Sequence, residues 1–307
     1  MANPKTPALL AAVHADPAEL HTRMVYADAL SEAGDPRGEF IALQCAGGNT
    51  EREHALLAEH GTAWLGRLAP LLDSTVYVCG FLHSAWVKKV PRPKLLATVG
   101  DPMWSTVAQL RFDPSIGGVV MKNGPVVRGV RVPAAALLLD PIMRSLDDVR
   151  GIDGDVLTTL AREGTELTIR TIRASTYPLL AGNHESWHYD PDARAVLEDP
   201  PGLPKLRDLE LHGYPSDTPD MAWLLHAPIA KRLERLRLEN FGGSIDQWIA
   251  AVHGTPIPDV EIDTARFRGG DDLELDASRF SSWQLALLDA ALARVPQGAL
   301  RRLEVKR

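Results

Sequence analysis

A short apolar pattern recurs along the chain from about residue 85 onward. It places apolar residues at its first, fourth and often sixth positions, as in the runs 107–112, 206–211, 233–238 and 300–305. With the fourth position as the mark, the early copies follow one another at steps of 18 to 20 residues. These marks are Val90, Leu110, Val130, Val149 and Leu167. Alternating apolar residues in a short run are typical of a strand with one buried face, so each copy predicts one β-strand.

Helical stretches lie between these runs, for example at 134–139, 156–162 and 284–294. A unit of one strand and one helix cannot bury its apolar side alone, so successive units must stack. In period and in apolar positions the pattern resembles degenerate leucine-rich repeats. The resemblance implies an α/β fold, an irregular solenoid over residues 71–307 with a curved sheet and outer helices. The long gap after Leu167 predicts an insertion or a degenerate repeat at about residues 174–204.

The first seventy residues carry a helical pattern instead. Thr6-Pro7 is typical of a helix start, and apolar residues recur at helical spacing from Leu20 to Leu30. Gly34-Asp35-Pro36 ends this pattern before the next apolar run begins. Residues 1–70 are therefore predicted to form a small helical domain.

A continuous string within this helical segment resembles the bacterial repeat-companion domain. Residues 23–44 read RMVYADALSEAGDPRGEFIALQ, where the family usually reads R-L-V-Y-A-D-W-L-E-E-x-G-D-P-R-G-E-F-I-x-L-Q. The resemblance covers about residues 6–46 and departs from the family at Met24, Ala29 and Ser31, with Ala29 in place of the usual tryptophan. It implies a domain that stands before a repeat array and brings no catalytic activity.

Composition narrows the class of protein further. The chain has 307 residues, with 33 basic and 40 acidic side chains and a formal net charge of −7. This balance disfavours a nucleic-acid binder that relies on phosphate neutralisation. Neither a long apolar run nor a signal-like start is present, so we expect a cytoplasmic protein without membrane contact. Cys45 and Cys79 are too few for a disulfide framework or an all-cysteine zinc site, and we expect both to be reduced and inert.

Period-two alternation predicts which residues line the exposed side of the strands. Positions four and six point inward, so positions three, five and seven point outward together. The expected binding face is basic early and acidic late. It consists of Arg111, Arg131, Arg150, Asp208, Glu210, Glu239, Asp259, Glu261, Asp263, Asp272, Glu274 and Asp276.

The acidic part of this face predicts a partner. If the strands at 259–263 and 272–276 are neighbours in register, like charges oppose each other at some cost. A basic partner, a bound cation or an intervening offset would relieve the repulsion. A basic protein segment is the preferred hypothesis, because carboxylates on separate strands rarely supply the six or more ligands of a calcium ion.

One motif suggests chemistry. His184-Glu185-Ser186-Trp187-His188 fits the H-E-x-x-H pattern, in which a helix presents two histidines to zinc and the glutamate activates water. Gly182-Asn183 before the motif and Tyr189-Asp190-Pro191 after it disfavour a continuous helix. Zinc ligation by His184 and His188 is therefore an alternative, and the main hypothesis expects no metal and no other cofactor.

The sequence favours a non-enzymatic scaffold for protein–protein interaction that presents a charged strand face to a protein partner. A zinc-dependent hydrolase at residues 184–188 is the first alternative. The second is a structural or regulatory module in which the helical head makes the contacts.

Overall fold

A computed structural model describes residues 6–48, 50–113, 133–164, 167–176, 180–181, 188–189, 191–213, 221–241 and 244–307. In these residues the chain is α/β, as predicted, and it divides into two compact units, Met1–Val149 and Arg150–Arg307. None of the described helices combines the length and the apolar character that a membrane span requires.

The first unit opens with the predicted helices. They are α1 Thr6–Ala15, α2 Leu20–Glu32, α3 Pro36–Cys45 and α4 Glu51–Trp64, followed by a 3-10 helix at Gly66–Leu71. Gly34, with a φ of 73°, ends α2 in the left-handed conformation that glycine adopts easily. The Asp35 side chain then caps α3 by accepting a hydrogen bond from the Arg37 backbone N–H at 2.9 Å. The Gly-Asp-Pro sequence thus ends one helix and begins the next.

A hairpin that the sequence analysis did not predict follows these helices. β1 Leu72–Val78 and β2 Phe81–Val87 are antiparallel, and β3 Gln109–Phe112 lies parallel to β2. Val90 was predicted as the strand residue equivalent to Leu110, and this prediction is wrong. The strand ends at Val87, and its register pairs Ala85 with Leu110. The rest of the unit contains α5 Arg92–Leu96, α6 Pro133–Leu138 and 3-10 helices at Pro102–Thr106 and Pro141–Met143.

The turn of this hairpin packs against the helices. Cys79 and Gly80 form a two-residue turn with φ angles of 47° and 79°, a combination typical of type I′ turns. Phe81, directly after the turn, belongs to a buried cluster with Val13, Tyr26 and Ile41 from the helices. A Cβ atom at Gly80 would lie 2.0 Å from Ile41 Cγ1, so only glycine allows this close approach.

The second unit contains most of the described strands. β4 Asp148–Ile152 crosses the boundary between the units. The helices are α7 Gly154–Glu163, α8 Pro191–Glu198, α9 Ile245–Val252 and α10 Ser282–Leu292, with 3-10 helices at Ala222–Leu225 and Pro228–Lys231. The remaining strands are β5 Thr171–Ser175, β6 Leu180–Ala181, β7 His188–Tyr189, β8 Asp208–His212, β9 Arg235–Glu239, β10 Asp259–Ile262, β11 Ala265–Arg268, β12 Asp272–Asp276 and β13 Arg302–Lys306.

The strands of the second unit form an open, mixed sheet. Their order is β5-β8-β9-β10-β11-β12-β13, and β6 and β7 pair separately as a hairpin. The pairs from β5 to β10 are parallel, β11 is antiparallel to both of its neighbours, and β13 is parallel to β12. The chain between β5 and β8, where the sequence predicted an insertion, contains the β6–β7 hairpin and α8.

The predicted alternation of inward and outward residues is confirmed in these strands. Leu209 and Leu211 of β8 are buried, whereas Asp208, Glu210 and His212 are partly exposed. The same pattern holds in β3, β9, β10 and β12. The mark Leu167 is wrong, because it precedes β5, in which Ile172 and Ala174 are the buried residues.

The close approach at Gly80 generates a prediction. Gly80→Ala should lower the free energy of unfolding by about 3 kcal/mol, because the added methyl overlaps Ile41 and the positive φ is strained. Gly34→Ala is the matched control: its φ is 73° and nothing lies within 4 Å of its Cβ position, so only backbone strain of about 1 kcal/mol is expected. Urea denaturation of both variants measures the difference. Equal losses would contradict the packing role of Gly80.

Candidate binding face

The register of the second unit arranges outward charges in rows across the strands. We call Asp208, Arg235, Asp259, Arg268, Asp272 and Arg302 the first charge row, since each stands directly opposite the next. We call Arg173, Glu210, Arg237, Glu261, Arg266, Glu274 and Glu304 the central charge row. The sign of the charge alternates at every step of both rows except from Glu274 to Glu304. Opposite charges on facing positions stabilise a strand pair, by about 0.2–1 kcal/mol each.

The predicted distribution of charge on this face is therefore wrong for the second unit. The acidic strands β10 and β12 are not neighbours, because β11 lies between them. Arg266 and Arg268 of β11 stand opposite carboxylates on both sides. Strand β11 of the chain itself thus supplies the positive charge that the sequence hypothesis assigned to a basic segment of a partner. The face has alternating acidic and basic strands and is not uniformly acidic.

Arginines of both neighbouring strands contact Asp259. Arg266 Nε and Nη2 donate to its two carboxylate oxygens at 2.8 and 2.6 Å, and Arg235 Nε donates at 3.1 Å. The hydrogen bonds from Arg266 are the main cause that lowers the pKa of Asp259 below its usual range, with a further contribution from Arg235. Asp272 is held similarly by Arg301, at 2.9 and 2.7 Å. These carboxylates already have cationic partners.

The charges are less balanced at the carboxyl ends of β8, β9 and β10. Glu210 contacts Arg173 Nε at 3.2 Å, and Arg237 Nη2 contacts Glu239 at 2.7 Å and Glu261 at 3.2 Å. Asp263, just after β10, is also close enough for the charge of Glu239 to raise its pKa, in addition to the larger effect of burial. We call Glu210, Glu239, Glu261 and Asp263 the acidic end. Arg173 and Arg237 contact Glu210, Glu239 and Glu261, and Glu261 also stands opposite Arg266. The acidic end therefore has four carboxylates and three neighbouring guanidiniums.

His212 lies between two of these carboxylates. Its Nε2 is 2.8 Å from Glu210 Oε1 and its Nδ1 is 2.8 Å from Glu239 Oε2. A carboxylate accepts hydrogen bonds and does not donate them, so both contacts are hydrogen bonds only when both ring nitrogens carry a proton. The ring of His212 thus bridges β8 and β9 between two carboxylates.

The same three side chains could also be considered as metal ligands. Among the described residues, Glu210, His212 and Glu239 each place one ligand atom within 4.8 Å of the others. Both ring nitrogens of His212 point at carboxylates, and Arg173 and Arg237 occupy further carboxylate oxygens. A metal ion would have to displace these hydrogen bonds and tolerate two guanidiniums nearby. The arrangement favours an ion-pair network over a metal site.

The other predicted face residues are dispersed. Arg111 of β3 lies 4.4 Å from the centroid of the Trp86 ring, and Arg150 belongs to β4. Asp263 was expected to end a strand, but the strand ends at Ile262, and Asp263 lies in a turn with a φ of 51°. Its Oδ1 accepts a hydrogen bond from Asn240 N at 2.6 Å. Asp276 ends β12 and accepts from Ser278 N at 3.0 Å. Arg131 lies outside the described residues.

The possible zinc motif is described only at its last residue. His184 lies outside the described residues, together with Glu185, Ser186 and Trp187. His188 lies in β7, where it pairs with Ala181. A helix that presents both histidines of the motif would have to include His188, so the strand at this position does not favour the zinc alternative.

A serine and a histidine meet in the first unit. His14 Nδ1 is 2.8 Å from Ser105 Oγ, as in a nucleophile and its base. Ser105 is completely buried, however, and its hydroxyl donates to Pro102 O at 2.7 Å, so a substrate has no access to it. Burial also lowers the pKa of His14 to about 4, with smaller effects from Arg37 and Arg23. The pair is a packing contact between α1 and the 3-10 helix at Pro102–Thr106.

The alternation of charge was missed for two reasons. β11 is too short to show the repeat pattern, although Arg266-Phe267-Arg268 alternates polar and apolar residues. Arg235 and Arg237 occupy outward positions by the same rule that selected Glu239, but the sequence analysis did not include them. An inventory of every outward position would have found the basic strand β9.

Comparison with known proteins adds no further assignment. The chain matches no protein-family model, and neither curated proteins nor solved structures gave a significant match. The resemblances to the repeat-companion domain and to leucine-rich repeats stay predictions from the residues.

The contacts of Arg266 generate a prediction. Arg266→Met should lower the free energy of unfolding by about 1–2 kcal/mol, because two charged hydrogen bonds to Asp259 are lost. Arg268→Met on the same strand and face is the control, with an expected loss below about 0.5 kcal/mol, since its side chain is 53% exposed and makes a 3.3 Å contact with Glu274. Urea denaturation at low salt provides the measurement. A larger loss in Arg268→Met would contradict the ranking.

The burial of His14 generates a prediction about pH. The folded state lowers the pKa of His14 from 6.5 to about 4, so the unfolded chain binds the proton more readily between these values. The contribution of neutral His14 to the free energy of unfolding is therefore fully present above pH 6.5 and is lost as the pH falls toward 4. We expect His14→Gln to reduce this loss, as measured by the free energy of unfolding between pH 7 and pH 4. If the free energy of unfolding changed equally with pH in the wild type and in His14→Gln, this prediction would be contradicted.

Proposed function

We propose that this protein is a non-enzymatic scaffold that binds a protein partner through the acidic end of its strand face. The partner contributes a basic segment whose lysine or arginine side chains contact Glu239 and Glu261. The observation that supports this proposal is the excess of carboxylates over guanidiniums at the carboxyl ends of β8, β9 and β10.

The exposure of these carboxylates suits such a contact. The side chains of Glu210, Glu239 and Glu261 are 12%, 27% and 28% exposed, so they are partly dehydrated and still reachable. A partly buried ion pair is screened less by salt and gains more from a hydrogen bond than a fully exposed one. An incoming cation adds to the existing network at a point of negative charge. In the two charge rows of the described strands, the alternation of sign fails only between Glu274 and Glu304.

Sequence features supply the wider context of the proposal. We propose that the head at residues 1–70 is a repeat-companion-like domain and that residues 71–307 are degenerate leucine-rich-repeat-like units in a cytoplasmic protein. Repeat arrays build extended surfaces and commonly bind other proteins through them. This support is by analogy of architecture, whereas the acidic end supplies the chemistry.

A peptide titration tests the proposal. We expect a fluorescently labelled lysine- and arginine-rich peptide to bind the wild type, as measured by fluorescence anisotropy, and an acidic peptide of equal length not to bind. Affinity should fall with added salt because exposed charges are screened. Glu239→Gln with Glu261→Gln should weaken binding of the basic peptide about tenfold, which corresponds to about 1.4 kcal/mol.

The matched control lies on the same face. Glu274→Gln with Glu304→Gln also removes two negative charges, but from β12 and β13, where these two side chains face each other. We expect this pair of substitutions to leave the affinity unchanged. Absence of binding to the wild type, or an equal effect of both double variants, would contradict a specific site at the acidic end.

A further inference from the structure

The two cysteines of the chain meet in the first unit. Cys45 is the last residue of α3, and Cys79 is the first residue of the β1–β2 turn. Their side chains are in hydrogen-bonding contact, and both residues are partly exposed. The sequence alone predicted two inert thiols, because sequence spacing does not reveal a contact between a helix end and a distant turn.

Contacts on both sides of the thiols hold the two segments together. The Gly80 backbone N–H donates to Gln44 Oε1 at 2.7 Å, so the residues next to the two cysteines are directly bonded. The lack of space for a Cβ at Gly80 against Ile41 shows how closely the turn approaches α3. The proximity of the thiols is therefore built into the packing of the hairpin on the helices.

The backbone of Cys79 is unusual for a cysteine. Its φ of 47° lies in the left-handed region, where asparagine, aspartate and glycine are the common residues of a type I′ turn. A residue that keeps a side chain in this sparsely populated conformation is a pointer to function. The strain is located at the sulfur-bearing residue of the turn.

Arg23 provides a charge beside this sulfur. Its guanidinium is hydrogen-bonded to the Cys79 side chain, and its Nη1 donates to Val78 O at 2.8 Å. The charge of Arg23 acts on both sulfurs, but its hydrogen bond is to Cys79. Burial and the contact with Cys79 raise the pKa of Cys45 to about 12, so Cys45 remains a thiol at neutral pH. The direct contact with Arg23 distinguishes Cys79 from Cys45 and makes Cys79 the candidate for the first reaction.

We propose that Cys79 and Cys45 form a hydroperoxide-sensitive thiol pair that closes into an intramolecular disulfide. The Cys79 sulfur attacks one peroxide oxygen, the O–O bond breaks, and Cys79 becomes a sulfenic acid. With hydrogen peroxide, the other oxygen takes up the proton of Cys79 and leaves as water. The Cys45 sulfur then attacks the sulfenic sulfur, the S–O bond breaks, and the hydroxyl leaves as a second water with the proton of Cys45. The two thiols supply the two electrons that reduce the peroxide.

Treatment of the full chain with hydrogen peroxide tests the proposal. In the wild type we expect both maleimide-reactive thiols to disappear together, the intact mass to fall by two hydrogen atoms, and dithiothreitol to restore both thiols. Cys45→Ser should accumulate a sulfenic acid at Cys79 that dimedone traps, and Cys79→Ser should leave Cys45 unreacted. Disulfides between two chains, or oxidation of Cys79 in the wild type while Cys45 stays free, would overturn the proposal.

A pair of Arg23 variants tests the order of the two steps. Arg23→Gln should slow the loss of thiols about tenfold, and Arg23→Lys, which keeps the positive charge, should retain most of the rate. Circular dichroism shows that each variant is folded before the rates are compared. An unchanged rate in folded Arg23→Gln would overturn the assignment of Cys79 as the first nucleophile.

Discussion

The second unit depends on one constraint, the opposition of charge between neighbouring strands. Its inward residues are nearly all apolar and therefore do not distinguish one strand from another. The outward residues do, because acidic β8, β10 and β12 alternate with basic β9 and β11. A like-charged neighbour would be repelled on the exposed face, whereas an oppositely charged one is stabilised. Hydrophobic burial thus drives the sheet to form, chain order brings successive strands together, and the opposed charges stabilise each of these strand pairs.

An element could be predicted from sequence when neighbouring residues determine it, and not when contacts between distant residues do. The helices α1 to α3 were predicted because their caps and apolar spacing are local, as in Gly34-Asp35-Pro36. The inward and outward positions of β8 and β9 were predicted because alternation within one strand decides them. The pairing of β10 with β11 was not, because β11 is too short to show the repeat pattern. The hairpin at Cys79-Gly80 was missed since its turn carries cysteine where asparagine would have signalled it.

The candidate site shows the same division. Glu210, Glu239 and Glu261 were selected correctly as outward residues of neighbouring strands. Their relation to Arg173, Arg237 and His212 could not be derived, since these contacts require the register between strands. For a site built from ion pairs across several strands, the sequence can therefore predict which residues point outward. Only the structure shows which of their charges have a partner of opposite sign.

The alternating charge rows have a consequence for how such a chain can change in length. Duplication or deletion of one strand would bring two strands of the same sign together and introduce repulsion along a whole row. Duplication or deletion of an acidic strand together with an adjacent basic one would preserve every junction. The electrostatics of the exposed face thus set a two-strand unit of growth for this part of the protein, even though the apolar repeat would tolerate additions of one strand at a time.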